Sequence, residues 1–152
     1  MVKTNKKLQV RQVDEQLKKL RAAMPELPSK GWLHTLRTTL SMSSTQLASK
    51  LGVSHQAVLT LEKREADMTV TLGKLKEAGE AMGLKLVYGF VPETSLEEMI
   101  ENRARELATE IVMTTSRQMA MEDQKVREKR LKESVNERTE ELIRTMPKIL
   151  WD

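Results

Sequence analysis

Between Ser43 and Arg64 the sequence places side chains whose types and spacing suit the edges of nucleic-acid bases. His55, Gln56 and Thr60 follow Ser54, a residue that caps helix N-termini well, so their side chains face outward near the start of a helix. A glutamine amide can bond bidentately to adenine, and a threonine offers a hydroxyl plus a methyl for thymine. His55 can donate to a purine N7 or to a phosphate, according to its tautomer. Lys63 and Arg64 come next, and cations at that point suit phosphate oxygens. Catalytic constellations are missing. The chain has no cysteine and two histidines, His34 and His55, and no Gly-x-Gly-x-x-Gly, phosphate-loop, His-Glu-x-x-His or Gly-x-Ser-x-Gly motif. The residues therefore favour a binding protein over an enzyme, with no catalytic residues, no metal and no cofactor expected.

Side chains so spaced need two short helices crossing at a tight turn. Ser43-Ser44-Thr45-Gln46 is a capping box that opens a helix over residues 44–51, and Gly52 suits its left-handed end. Ser54 opens the next helix, which the pattern carries to about Lys63. Leu47, Ala48, Leu51, Val53, Val58 and Leu61 are spaced to form the small core between them, with Ala48 small where the helices cross. This is the layout of a helix-turn-helix, which sets the start of its second helix in the major groove.

The flanking sequence is also mostly helical, so the expected class is mainly α. Leu8, Val13, Leu17 and Leu20 predict a helix over residues 3–24, stopped by Pro25 and Pro28. Further helices are expected over 31–40 and 71–82, the latter closed by Gly83. Leu84 to Val91 reads as one strand, with Leu84, Leu86, Tyr88 and Phe90 on one face and Pro92 ending it. With no second strand in the chain, residues 84–91, Val87 among them, are expected to pair with the same strand of a second subunit; the alternatives are that the segment packs as extended chain or pairs with a short strand the pattern does not mark. Thr94-Ser95-Leu96-Glu97 reads as a second capping box ahead of two long helices that break near Met121–Lys125. The expected divisions are an N-terminal helix and linker (1–28), a helix-turn-helix domain (29–83), a dimerisation strand (84–92) and a C-terminal helical region (93–152).

Charge is uneven along the chain. Residues 1–31 carry eight basic and three acidic side chains (+5), residues 32–92 seven and five (+2), and residues 93–152 eleven and fourteen (−3). Nucleic acid would prefer the front, although solvated helix faces would give the same tally. The longest apolar run, Leu86 to Val91, is far short of the roughly 20 residues a membrane helix needs. Met1 to Val10 lacks an apolar segment of the secretory kind. A soluble, cytoplasmic protein with no membrane partner is expected.

Residues 32–83 resemble the Cro/C1-type, lambda-repressor-like helix-turn-helix regulators. That resemblance implies an ion pair between Arg37 and Glu62, and it implies base reading by His55, Gln56 and Thr60. The glutamine that usually opens the second helix of such proteins and touches a phosphate is replaced here by Ser44, which reaches less far. Over the whole chain, Gly31-Trp32, Ser54-His55-Gln56-Ala57-Val58, Leu61-Glu62-Lys63, Leu86-Val87-Tyr88, Val91-Pro92, Ser95 to Met99, Met119 to Gln124 and Leu150-Trp151-Asp152 resemble mobile mystery protein A. This resemblance implies an antitoxin-like, autoregulating protein with a Fic-domain toxin as its partner, and the strand paired across a two-fold axis implies a homodimer that binds a palindromic operator on double-stranded DNA. The alternative is a toxin-neutralising interaction module whose DNA binding is secondary. The Fic-inhibiting pattern [Ser/Thr]-x-x-x-Glu-[Gly/Asn] is absent: Glu97 to Asn102 ends in Glu-Asn but begins with glutamate.

Overall fold

The structure, a computed structural model, describes residues 2–116 and 124–152, with side chains from residue 5 onward. Seven α-helices follow one another among the described residues: α1 (Val2–Ala23), α2 (Gly31–Thr39), α3 (Ser44–Leu51), α4 (His55–Ala66), α5 (Leu72–Ala81), α6 (Leu96–Ser116) and α7 (Gln124–Thr145). A short 3-10 turn, Lys148–Trp151, ends the chain. The chain divides into two compact units, one spanning Met24–Gly89 and the other combining Met1–Ala23 with Phe90–Asp152. None of the described helices is long and apolar enough to cross a membrane.

In the unit of residues 24–89, local signals set the helix ends. Ser43 Oγ accepts from the Gln46 amide at 3.1 Å while Gln46 Oε1 accepts from the Ser43 amide at 2.8 Å, which closes the capping box. Gly52 ends α3 at φ +66°, a conformation glycine adopts without strain. Ser54 Oγ caps α4 by accepting from Ala57 N, and Thr71 Oγ1 caps α5 by accepting from Lys74 N. Leu47, Ala48 and Val58 are buried together between α3 and α4. Leu61 and Leu51 are half-buried, whereas Val53 is 45% exposed and lies outside that core. The α4 helix also runs three residues beyond the expected end at Lys63.

The other unit joins both ends of the chain. Ile100, Ala104, Leu107 and Ala108 of α6 are buried with Leu142 of α7 and Leu150 of the terminal turn. Two alanines in that row let the helices of the α6–α7 hairpin approach closely. Along α1 it is Val10 that packs on this core, with Val13, Leu17 and Leu20 half-buried, while Leu8 is 54% exposed. Arg103 holds the chain end, its guanidinium donating to Leu150 O at 2.6 Å and to Asp152 O at 2.8 Å. Asp14 of α1 does the same for a helix start, accepting from Leu96 N at 2.7 Å and Glu97 N at 3.1 Å. Beside it, Ser95 rather than Thr94 is the local cap of α6, its Oγ accepting from Glu98 N. Met99 and Met113 of α6 are about half exposed. Met119, Met121 and most of the expected break at Met121–Lys125 lie outside the described residues.

Residues 84–91 do not form the expected strand. Leu84 N bonds to Gly79 O at 2.8 Å, closing α5, and no backbone hydrogen bond joins residues 85–91 to any described residue. A strand is defined by a ladder with a neighbour. Leu84, Leu86, Val87, Tyr88 and Phe90 have the alternation of a strand, but the described residues of the chain supply no neighbour to pair with. Val87, Tyr88 and Phe90 are 73%, 66% and 83% exposed.

Candidate nucleic-acid interface

The position of α4 is fixed by its inward face. Val58, Leu61, Glu62 and Glu65 recur at helical spacing, and Val58, Glu62 and Glu65 are buried. Glu62 takes Nε of Arg37 at 2.5 Å and Nη2 of the same guanidinium at 3.1 Å, a two-pronged contact. Arg37 also donates through Nη1 to Met42 O at 2.9 Å, so one guanidinium ties α2 to the loop before α3 and to α4. His34 Nδ1 lies 3.1 Å from Glu62 Oε2; because an ionised carboxylate only accepts, that nitrogen carries the hydrogen. Burial pushes the Glu62 carboxyl up, but the hydrogen bonds and charges of Arg37 and His34 outweigh it and hold the group below its ordinary value. Its hydrogen bond likewise holds the Arg37 guanidinium above its ordinary value, against the opposing effect of burial.

One turn on, Glu65 accepts from Trp32 N at 2.5 Å and Leu33 N at 3.0 Å, capping α2 from outside that helix. The arrangement requires glycine at position 31. Gly31 has φ +80°, and a Cβ there would stand 3.0 Å from Glu65 Cδ. Glu65 was not legible as a functional group from its neighbours in sequence, although its spacing from Glu62 puts both acids on one face.

With that face held, Gln56, Thr60 and Lys63 form one exposed row (i, i+4, i+7) opposite the buried one. Lys63 therefore stands in line with the two polar side chains suited to base edges. Leu59, 39% exposed beside that row, is an apolar group that the polar pattern did not pick out. His55 and Arg64 flank the row on either side. Arg64 and Thr60 lie with Val53 and α5 residue Lys74 on a largely apolar groove of about 410 Å³.

Ser44 Oγ and His55 Nδ1 are joined by a 2.7 Å hydrogen bond between the first residues of α3 and α4. That bond has a chemical consequence. With a neutral imidazole, either Ser44 uses its hydrogen on Nδ1 and leaves an Nε2–H donor outward, or Nδ1–H is used and the serine hydroxyl is left to donate. In both tautomers the pair offers one donor, and a base or a phosphate selects which. Comparison with known proteins gives no matching family model, no matching curated protein and no matching solved structure.

Proposed function

We propose that this chain is a sequence-specific double-stranded DNA-binding regulator that reads bases through α4. The observation that carries the reading is the exposed row Gln56, Thr60 and Lys63 on a helix whose opposite face is locked by two buried carboxylates. A readout helix must be held rigidly against its scaffold, and Glu62 and Glu65 supply that support. His55 reads bases beside that row, and Ser44, Lys63 and Arg64 serve as phosphate contacts.

Binding as a homodimer is part of the proposal. A second copy can pair antiparallel along residues 84–91 with Val87 opposite Val87. Leu86 then faces Tyr88, Leu84 faces Phe90 and Lys85 faces Gly89, so no like charges meet. The unpaired amides and exposed aromatics of this segment support that pairing, and a two-fold dimer would read a palindrome. Replacing Val87 with proline removes a donor at mid-strand, and a protein that remained dimeric in sedimentation would exclude this seam.

The reading is tested by selecting a binding site from random duplex DNA and measuring Gln56→Ala on it. The expected loss is about 1–3 kcal/mol on the selected site, with non-specific binding unchanged. An unchanged ratio of specific to non-specific affinity would refute the assignment of α4.

The antitoxin reading, with a Fic-domain toxin as partner, rests on the resemblance to mobile mystery protein A. One observation favours a protein partner as well as DNA: Ile149 and Trp151 are 51% and 57% exposed on either side of buried Leu150. Loss of toxin binding on Ile149→Ala/Trp151→Ala, with the fold intact, would support it. Shortening the chain at Gln124 would be a poor test, because it removes Leu142 and Leu150 from the core.

A further inference from the structure

The net charge of −3 over residues 93–152 conceals a basic face. Residues 124–132, at the start of α7, hold Lys125, Arg127, Lys129, Arg130 and Lys132 against one acid, Glu128. Like charges at i and i+4 repel, as Lys125 and Lys129 do along this stretch. Glu122 and Asp123 precede it in sequence, outside the described residues. A helix that crowds cations in this way sacrifices stability, and sequences depart from local rules chiefly where a ligand repays the cost.

Three of the cations are aligned. Lys125, Lys129 and Lys132 recur at i, i+4 and i+7, to one side of the inward row Leu131, Val135, Thr139 and Leu142. All three are exposed, and none makes an ion pair or side-chain hydrogen bond with a described residue. The next position on their row is Asn136, whose Oδ1 accepts from Arg105 Nη1 of α6 at 3.1 Å. That bond brings a fourth cation onto the same face, and the row spans about 16 Å of helix. Glu128 and Glu133 flank it. Val126 is the one large apolar side chain exposed along this stretch, at 45%.

We infer that Lys125, Lys129, Lys132 and Arg105 form a second DNA-contacting surface, one that grips the phosphate backbone without reading sequence. The inference rests on the DNA-binding reading of α4. Charge selects the occupant: a protein interface needs an apolar centre, which this face lacks, whereas a phosphate backbone is held by cations alone.

The test compares wild type with Lys125→Gln/Lys129→Gln/Lys132→Gln on the selected site and on unrelated duplex DNA, across a salt series. Each lost phosphate contact flattens the plot of log affinity against log salt by about 0.9, so the triple variant is expected to flatten it by about 2–3 on both DNAs. The ratio of the two affinities stays as in wild type, the melting temperature does not fall, and the corresponding triple arginine variant keeps the wild-type slope. A triple glutamine variant with the wild-type slope would overturn the inference while leaving the α4 reading standing. A wild-type protein that bound neither DNA would overturn both. A selective loss on the selected site would also overturn it, because that would make the face a reader of sequence.

Discussion

Replacing Glu62 with alanine should cost the unit of residues 24–89 much of its stability. The substitution removes both hydrogen bonds from Arg37 and the one from His34, and leaves the charge of Arg37, a residue only 8% exposed, unmatched. Stranding one partner of a buried pair costs about 3–5 kcal/mol. The unit spans residues 24–89, and at about 0.05–0.15 kcal/mol per residue its total stability is about 3–10 kcal/mol. A drop in its melting temperature of about 12 °C or more is expected, since each kcal/mol moves a domain of this size by about 4–8 °C. Glu62→Gln keeps the shape and one acceptor and should fall between wild type and alanine. Arg37→Met/Glu62→Leu removes both charges, so it should lose less than the sum of the single variants. The pair also fixes a pH response. The folded carboxyl lies below its ordinary value, so the unfolded chain binds the extra proton first as pH falls, and stability declines with it. The contribution is complete above the unfolded value of about 4.3 and disappears as pH drops through the folded value. Wild type should therefore lose melting temperature below about pH 4.3 more steeply than Glu62→Gln. Calorimetry with urea titration measures all of this. A Glu62→Ala protein melting with wild type, or a double variant showing the full sum of the single losses, would refute the reasoning.

Two further outcomes follow from the helix ends. Met68→Gly should stabilise the unit of residues 24–89 by about 0.5–1 kcal/mol, because Met68 sits at φ +60° in a left-handed helix ending where glycine is unstrained, and its side chain is 79% exposed; a lower melting temperature would contradict this. Asp14→Ala should cost the other unit about 1–2 kcal/mol by uncapping the Leu96 and Glu97 amides, with Asp14→Asn intermediate, and urea denaturation of equal midpoint for all three proteins would show that the contact carries no stability.

What the sequence made legible is what acts within about four residues. The Ser43–Gln46 box, the Ser54 cap and the Gly52 turn all satisfy backbone groups of their own helix, so residue type and spacing were enough to place them. The outward row of α4 was legible for the same reason, through the 3.6-residue period. The end of α4 was not: Asp67 and Met68 close it with Thr69 N bonding to Arg64 O at 2.8 Å, and no glycine marks the position. The strand at 84–91 failed differently. Alternation specifies which side chains share a face, but a ladder needs a second backbone, and the described chain has none to give. The Ser44–His55 bond spans eleven residues, and only the crossing of two helices brings its atoms together.

Two contacts between helices distant in sequence share one design. Glu65 caps α2 from α4, and Asp14 caps α6 from α1, each placing one carboxylate on two orphan amides of another helix. In the unit of residues 24–89 this has a consequence for the proposed function. The aliphatic core between α3 and α4 is small, resting on Leu47, Ala48 and Val58, so the orientation of α4 depends on desolvated charges at Glu62 and Glu65. Buried pairs are screened far less by salt than exposed ones, whereas the cations of the outer face are screened strongly. Salt and acid therefore act on opposite faces of one helix. On the proposed DNA-binding reading, raising ionic strength should release DNA from Lys63 and Arg64 while α4 stays docked, and acid should undock α4 by protonating Glu62 while those outer cations keep their charge.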